Sequence, residues 1–372
     1  MDSFHVNWKN LENYFFVNPR WPLDVQNFFK EKIKNLTDSE QIKASLLIPT
    51  SGTTAKDLLD TKIVWLKKAA FLEAAQTVGD YFKFSSKDRV AVALPQFHVG
   101  GLSQEARQFV WKQELFYFKP AWDAQLFFQF LKDYQITHTS LVPTQLFDLV
   151  TAGLQAPSSL KCVFIGAGAL GEELRHRAKI LGWPLEITYG MTETSALVAV
   201  LEGDQFKVMP HAQMKISENG FLKIKSSSLF SGYLKRQGQD LILDLNVLKD
   251  GWFTTEDLVE KTSEGFKILG RTKDYAKISG EGVYLGRLQV LLQDSCLQAG
   301  LKAFNQVILC FNDSDRLGSE VHLLSTLSEF EIQPVVEIFN QKVLPFERIR
   351  GFHQVQEIPK TELGKVRWQE IK

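Results

Sequence analysis

Two short segments combine side chains that handle phosphates. In Tyr189-Gly190-Met191-Thr192-Glu193-Thr194 an aromatic face, a hydroxyl and a carboxylate lie within six residues. Those groups suit a nucleobase, a phosphate and Mg²⁺ respectively. Upstream, Pro49-Thr50-Ser51-Gly52-Thr53-Thr54 surrounds one glycine with small hydroxylated residues. Successive backbone N–H groups and hydroxyls can converge there on phosphate oxygens. The stretch equally fits a plain polar turn, and it lacks the GxxxxGK[ST] spacing of a Walker loop. Further on come Gly251-Trp252-Phe253-Thr254-Thr255-Glu256-Asp257, Gly270-Arg271-Thr-Lys-Asp274 and Lys277-Ile-Ser-Gly280-Glu-Gly282. The last of the set is Pro359-Lys-Thr361-Glu-Leu-Gly364-Lys365. Taken singly, Asp257 and Arg271 read as a surface ion pair and Lys365 as a solvated lysine.

Gly166-Ala167-Gly168-Ala-Leu-Gly171 fits GxGxxG after a strand and before a helix, with Glu186 downstream. A dinucleotide-dependent oxidoreductase is therefore a rival reading. Against it, Glu186 sits inside its strand, and several strands precede the unit. Tight strand-to-helix packing explains the same glycines.

These residues need a scaffold, and the hydrophobic pattern supplies one. Trp21-Pro22-Leu23-Asp24 opens a helix carrying Val25, Phe28, Phe29 and Ile33 on one face. Ala44–Ile48 reads as a buried strand running into the Thr50 loop, and Ile63–Phe82 has helical spacing, so that the loop is expected to precede a helix. Then Val90–Leu94, His138–Val142, Cys162–Ile165 and Leu185–Thr188 read as strands, alternating with helices at Trp122–Tyr134, Thr144–Val150 and Glu172–Leu181. Such alternation predicts an α/β fold with a mainly parallel sheet covered by helices. After about residue 205 the texture becomes antiparallel β, and beyond Gly270-Arg271 a mixed α+β tail is long enough for one small domain. The expected organisation is a large unit over 1–272, with its β-rich part near 205–270, and a small mobile unit over 273–372 hinged near Asp274.

Composition narrows the class. The 372 residues carry 43 basic and 43 acidic side chains, which argues against an obligate nucleic-acid or anionic-membrane binder. No apolar run approaches the ~20 residues of a membrane span. Cys162, Cys296 and Cys310 are far apart, with no CxxC pair, so a reduced, cytoplasmic compartment is expected. The 28 phenylalanines imply core packing first and an aromatic-lined ligand site second.

In this order, from about Leu46 to Lys365, the motifs resemble the adenylate-forming superfamily of acyl-CoA synthetases, peptide-synthetase adenylation domains and luciferases. Three segments, Ala93–Leu102, Ile136–Gln145 and Tyr189–Ser195, resemble the o-succinylbenzoate–CoA ligases of menaquinone biosynthesis. The resemblance implies ATP, Mg²⁺ and coenzyme A. A carboxylic acid would be activated to an acyl-AMP and then transferred to the CoA thiol. It further implies that Thr50, Ser51, Gly52, Thr53 and Thr54 hold the departing phosphates. Gly166, Ala167, Gly168, Tyr189 and Gly190 would flank the adenine. Thr192 would contact the α-phosphate, Glu193 would support Mg²⁺, and Asp257, assisted by Arg271, would take the ribose. Lys365 would bridge the carboxylate and the α-phosphate, a role that suits a mobile point charge. His98, Val142, Pro143, Thr144 and Ser195 match acyl-pocket positions. Asp274 matches the hinge, about which Lys277 and Gly280 would swing in for the thioester step.

The chain departs from the family pattern in places. The phosphate loop continues Ala55-Lys56-Asp57-Leu58, with Leu58 where a lysine is usual; the usual TGD reads Thr255-Glu256-Asp257; and the usual Gly-Gly-Ala reads Gly166-Ala167-Gly168. The region before the phosphate loop is shorter than the family's by about one small domain. Residues 1–45, a partner chain or a second copy are expected to cover the sheet there, and a homodimer is anticipated. A homologue that binds nucleotide or acyl ligand without turnover stays open as a second reading.

Overall fold

The computed structural model describes residues 5–38, 42–50, 57–301, 305–314, 316–361 and 364–371. The fold is α/β, as the alternation predicts. Its largest element is a sheet whose two ends differ in character. At one end Glu114–Tyr117, Arg89–Val92, His138–Leu141, Cys162–Ile165 and Leu185–Met191 lie side by side and parallel. From Leu185–Met191 outward the pairing turns antiparallel, through Ala196–Glu202, Gln205–Val208, Phe266–Arg271, Trp252–Lys261, Phe221–Ser226 and Ala212–Ile216.

The parallel strands read as unbroken apolar runs because both faces are buried. Val163 and Ile165 point into one cluster with Phe127, Leu146, Leu174 and Trp183. Cys162 and Phe164 point the other way, against Val78, Phe84 and Leu197. The helices Ala124–Asp133, Pro143–Thr151 and Glu172–Ile180 cover the first face. Lys68–Phe82 and Val99–Trp111 contribute to the second. Six of the phenylalanines, among them Phe71, Phe127 and Phe230, are among the largest fully buried side chains, so core packing accounts for them.

A second sheet runs Tyr14–Phe15, Ser45–Pro49, Ile63–Lys67, Gly232–Gln237, Asp240–Asp244. It corrects one expectation. Residues 63–67 are a strand, and the helix begins only at Lys68. Ile63 and Trp65 face the helix Leu23–Asp38, while Val64 and Leu66 face Phe71, Phe97 and Leu102. A strand buried on both faces shows no polar alternation, so positions 63 and 66 pass for the start of a helical stripe. Pro49 pairs with Ile63. The connection therefore joins two antiparallel strands, and the helix Lys68–Phe82 follows only after the second of them.

The helix Leu23–Asp38 covers one face of this sheet through Val25, Phe29 and Ile33. Val6, Trp8 and Phe16 help cover the other. Lys68 fastens this N-terminal segment, donating to the carbonyls of Asn7 (2.7 Å) and Asn10 (3.1 Å).

Beyond Asp274 the chain forms the hairpin Tyr275–Ile278/Glu281–Tyr284, the helix Leu285–Gln298, a sheet of Val307–Ser314, Gly318–Ser325 and Ile349–Gln354, and the helix Glu329–Lys342. These elements pack round their own cluster, from Ile278 and Leu288 to Phe339 and Val343. Among the described residues no helix is long and apolar enough to cross a membrane.

Candidate active site

Asp257 lies opposite Arg271 on adjacent antiparallel strands, so pairing alone brings the two side chains together. Arg271 Nε donates to Asp257 Oδ1 at 2.7 Å, and the Tyr189 hydroxyl donates to Oδ2 at 2.6 Å. The carboxylate is 3% exposed, and a charge so buried must be paired. Burial and the adjacent Asp257 push the Tyr189 phenol well above its ordinary range. Burial works against the Arg271 charge, yet Asp257 holds its pKa above the usual value. The Tyr189 ring packs against Phe206 and Phe266, with centroids 5.9 and 5.5 Å away, and is buried with Phe266.

Glu193 sits on a 3₁₀ turn, Thr192–Thr194, between two strands that approach unusually closely. A Cβ on Gly190 would overlap the Ala196 carbonyl, so only glycine fits. Ser195 and Ala196 both take positive φ, +54° and +91°. Such strained backbone clusters at functional turns. The Thr194 hydroxyl pins the turn, accepting from Met191 N at 3.0 Å and donating to Ala196 O at 2.8 Å. The Tyr233 hydroxyl, from the second sheet, donates to Glu193 Oε1 at 2.8 Å. Phe230 N donates to the Glu193 carbonyl at 2.8 Å. Tyr233 was not singled out in the sequence, where it belongs to no motif.

Lys365 reaches this group from the far end of the chain. Lys360 and Val366 form an antiparallel bridge, Thr361 N donates to Lys365 O at 2.7 Å, and Lys365 N donates to Thr361 Oγ1 at 3.1 Å. Gly364, at φ +74°, packs on Thr144. Burial and Arg271 depress the Lys365 pKa, while Glu193 and Asp257 act in the opposite sense. The ammonium therefore feels the two carboxylates and the guanidinium at once, from a site half-buried in protein.

The remaining predicted residues gather round the same ends of the parallel strands. Gly166, Ala167 and Gly168 lie between Thr188 and Pro143, with Ala167 at φ +64°. Val142 and Pro143 begin the helix Pro143–Thr151, and Gln145 Oε1 accepts from Val142 N at 3.0 Å. His98 is buried at the start of the helix Val99–Trp111. Ser195 is buried, donates to the Ser228 carbonyl at 2.8 Å, and lines a small cavity with Phe71, Ser103, Arg107 and Leu197. Arg107 escaped the sequence reading. It is buried with its guanidinium over the rings of Phe164 (5.0 Å) and Phe84 (6.0 Å), and no carboxylate among the described residues pairs with it. Burial lowers its pKa, but arginine stays charged.

Comparison with known proteins assigns the family. The profile of the AMP-binding enzyme family matches residues 19–234, more than half the chain. The chain belongs to the AMP-binding enzyme family. A 2-succinylbenzoate–CoA ligase of Bacillus licheniformis is 25% identical over 380 residues, covering 96% of this chain and 76% of the relative. An indoleacetate–CoA ligase of Aromatoleum aromaticum is 26% identical over 355 residues, covering 88% of this chain and 66% of the relative. Among solved structures, o-succinylbenzoate CoA synthetase from Bacillus subtilis in complex with its acyl-adenylate intermediate superposes with a TM-score of 0.73 at 20% identity. That match covers 87% of this chain and 68% of the other, and it shows a shared fold.

As a member of this family the chain calls for a magnesium site, and its residues fit one. Among the described residues no group of three or more His, Cys, Asp or Glu side chains could hold a metal. Mg²⁺ needs less, since it keeps several waters and takes one or two carboxylates plus substrate phosphates. Glu193, held through Oε1 by the Tyr233 hydroxyl, is a carboxylate that could serve in this way. Thr50 closes the end of its hairpin through Thr50 N to Lys62 O at 2.9 Å. Ser51, Gly52, Thr53 and Thr54 lie outside the described residues. Leu58 opens a 3₁₀ turn capped by Asp57. Asp274 ends another such turn, directly before the hairpin that carries Lys277 and Gly280. Both of those residues are exposed, whereas Lys365 is half-buried and feels the charges of Glu193, Asp257 and Arg271.

Proposed function

We propose that this chain is an acid–thiol ligase that forms an acyl-adenylate from Mg-ATP and passes the acyl group to coenzyme A. The observation that carries this reading is that Asp257 pairs with Arg271 and that the charges of both, with that of Glu193, act on Lys365 from distant parts of the chain. In the first step a carboxylate oxygen bonds to the α-phosphorus and the bond to pyrophosphate breaks. Two anions must approach each other, so oriented cations and donors lower the barrier most. Lys365 bridges the acid and the α-phosphate, Thr192 donates to that phosphate, and Asp257 takes the ribose hydroxyls with Arg271 beside it. Gly166, Ala167, Gly168, Tyr189 and Gly190 flank the base, and the Thr50–Thr54 loop holds the departing phosphates. Mg²⁺ at Glu193 supplies charge neutralisation on the phosphates. In the second step the CoA sulfur bonds to the acyl carbon, the bond to AMP breaks, and the thiol proton is lost.

The acid we propose is o-succinylbenzoate, the substrate class named for the Bacillus relatives. His98, Val142, Pro143, Thr144 and Ser195 form its surroundings. Arg107, a buried cation beside the Ser195 cavity with which no carboxylate among the described residues pairs, is suited to read a second carboxylate. The division at Asp274 into units 1–272 and 273–372, with Lys277 and Gly280 serving the thioester step, belongs to this proposal, as does a cytoplasmic setting. A homodimer is part of it too, although the helix Leu23–Asp38 already covers the sheet face that motivated it.

Lys365→Ala tests the reading. Pyrophosphate release from ATP and o-succinylbenzoate should fall by at least a hundredfold, whereas supplied acyl-adenylate and CoA should still give thioester. If both half-reactions survive unaltered, the role of Lys365 is wrong. If the unmodified protein releases no pyrophosphate with o-succinylbenzoate but does so with indoleacetate or another aryl acid, the substrate is wrong and the class stands.

A further inference from the structure

The third glycine of Gly166-Ala-Gly-Ala-Leu-Gly171 has no part in the site described above. It is the N-cap residue of the helix Glu172–Ile180 and offers that helix no side-chain cap. The first backbone N–H groups of a helix lack intrahelical partners and attract a carboxylate. Here the carboxylate comes from elsewhere. Asp294, on the helix Leu285–Gln298 beyond Asp274, points at this terminus, and the backbone N–H groups of Glu172, Glu173 and Leu174 act on it. Asp294 is 7% exposed, and its Oδ1 has no conventional hydrogen-bond partner, so the interaction is chiefly charge with helix dipole. A Cβ on Gly171 would overlap Asp294 Oδ1, so glycine is what lets the carboxylate approach.

Two further contacts join the same helices. Leu297 is buried in the cluster formed by Leu174, Ala178 and Trp183, although it belongs to the segment beyond Asp274. Arg177 Nη2 donates to the Leu297 carbonyl at 3.0 Å while its Nε donates to Glu173 at 2.6 Å. The same segment carries Lys365. Turning it about Asp274 would separate the two helices and withdraw the lysine together.

We propose that Asp294 is a positioning residue for adenylate formation: by capping the helix Glu172–Ile180 from across the interface, it holds the segment beyond Asp274 in the orientation that delivers Lys365. This rests on the two-step reading above. It also gives Gly171 a purpose that dinucleotide binding does not.

The test uses the full chain and measures the half-reactions separately: pyrophosphate release from ATP and o-succinylbenzoate without CoA, and thioester formation from supplied acyl-adenylate and CoA. Asp294→Ala and Gly171→Ala, which disturb the contact from opposite sides, should each slow the first by about fivefold, the worth of a typical helix cap. Neither should slow the second. Asp294→Asn should slow the first step about as much as Asp294→Ala, because it removes the charge that the helix dipole attracts. The double variant Gly171→Ala/Asp294→Ala should be no slower than either single one, since both remove one contact. Equal slowing of both steps, no slowing of the first, or an Asn variant as fast as the unmodified protein would overturn the proposal. An unmodified protein that releases no pyrophosphate would overturn the two-step reading itself.

Discussion

Tyr233→Phe isolates one bond at the site. The Tyr233 hydroxyl donates to Glu193 Oε1 at 2.8 Å and is the contact that ties the turn carrying the proposed magnesium carboxylate to the second sheet through a side chain. The phenyl ring would stay, packed 4.7 Å from Phe230 and flanked by Lys62 and Lys235 at 5.4 Å. Only the oxygen is lost. A hydrogen bond to a charged group is worth about 1.5–3 kcal/mol. The low end applies because Glu193 is only half-buried and water can replace part of the bond. About 1.5 kcal/mol corresponds to roughly tenfold in rate if Glu193 must be oriented in the transition state. The assay is pyrophosphate release at saturating ATP and acid over a range of Mg²⁺ concentrations. The maximal rate should fall about tenfold and half-saturation by Mg²⁺ should move to higher concentration, with the thermal midpoint lowered by no more than a few degrees. A variant with unchanged rate and Mg²⁺ dependence would show that the Tyr233 bond does not position Glu193 for the reaction.

Two predictions concern stability. Glu105 is 4% exposed, accepts from the Gln96 amide and from the Tyr117 hydroxyl at 3.4 Å, and burial pushes its pKa up to about 7. The unfolded chain ionises near 4.5 while the folded one keeps its proton, so this group's stabilisation is full below 4.5 and is lost as pH rises to about 7. Glu105→Gln should therefore gain on the unmodified protein across that window, by up to about 3 kcal/mol, in urea unfolding; parallel pH profiles would refute it. Burial lowers His138 to about 4, giving a slope of opposite sign that both proteins share, so the difference between them isolates Glu105. Ala167→Gly relieves a left-handed residue at φ +64°. That relief of about 1–2 kcal/mol, less about 0.4–1 kcal/mol of added unfolded-chain entropy, should leave a net gain near 0.5 kcal/mol in the same assay. A loss of stability there would mean that the methyl group contributes packing that outweighs its strain.

Much of the scaffold was legible because its signals are local. Cys162–Ile165 is a strand with the bounds its apolar run suggested, and Glu172–Ile180 is the helix its pattern implied, one residue shorter. The reading failed at Ile63–Lys67, where burial on both faces erased the alternation that identifies a strand. It also passed over the helix Val99–Trp111, whose buried face includes Gln104, Glu105 and Arg107, side chains that hydrophobic patterning assigns to solvent.

The sequence by itself determined the order of chemical groups and hence the family, since six spaced motifs can be read without knowing where any of them lies. Tertiary structure alone decided which groups meet. Strand register set Asp257 against Arg271, and sheet-to-sheet packing brought Tyr233 to Glu193. The docking of Leu285–Gln298 on Glu172–Ile180 placed Asp294 over Gly171. Lys365, from the far end of the chain, came within reach of the charges of Glu193, Asp257 and Arg271. These partners are separated by up to more than a hundred residues, and nothing in a residue's immediate neighbours encodes a contact made at that range. Such contacts are fixed when buried apolar faces choose their partners, and the polar groups carried on those faces then find one another.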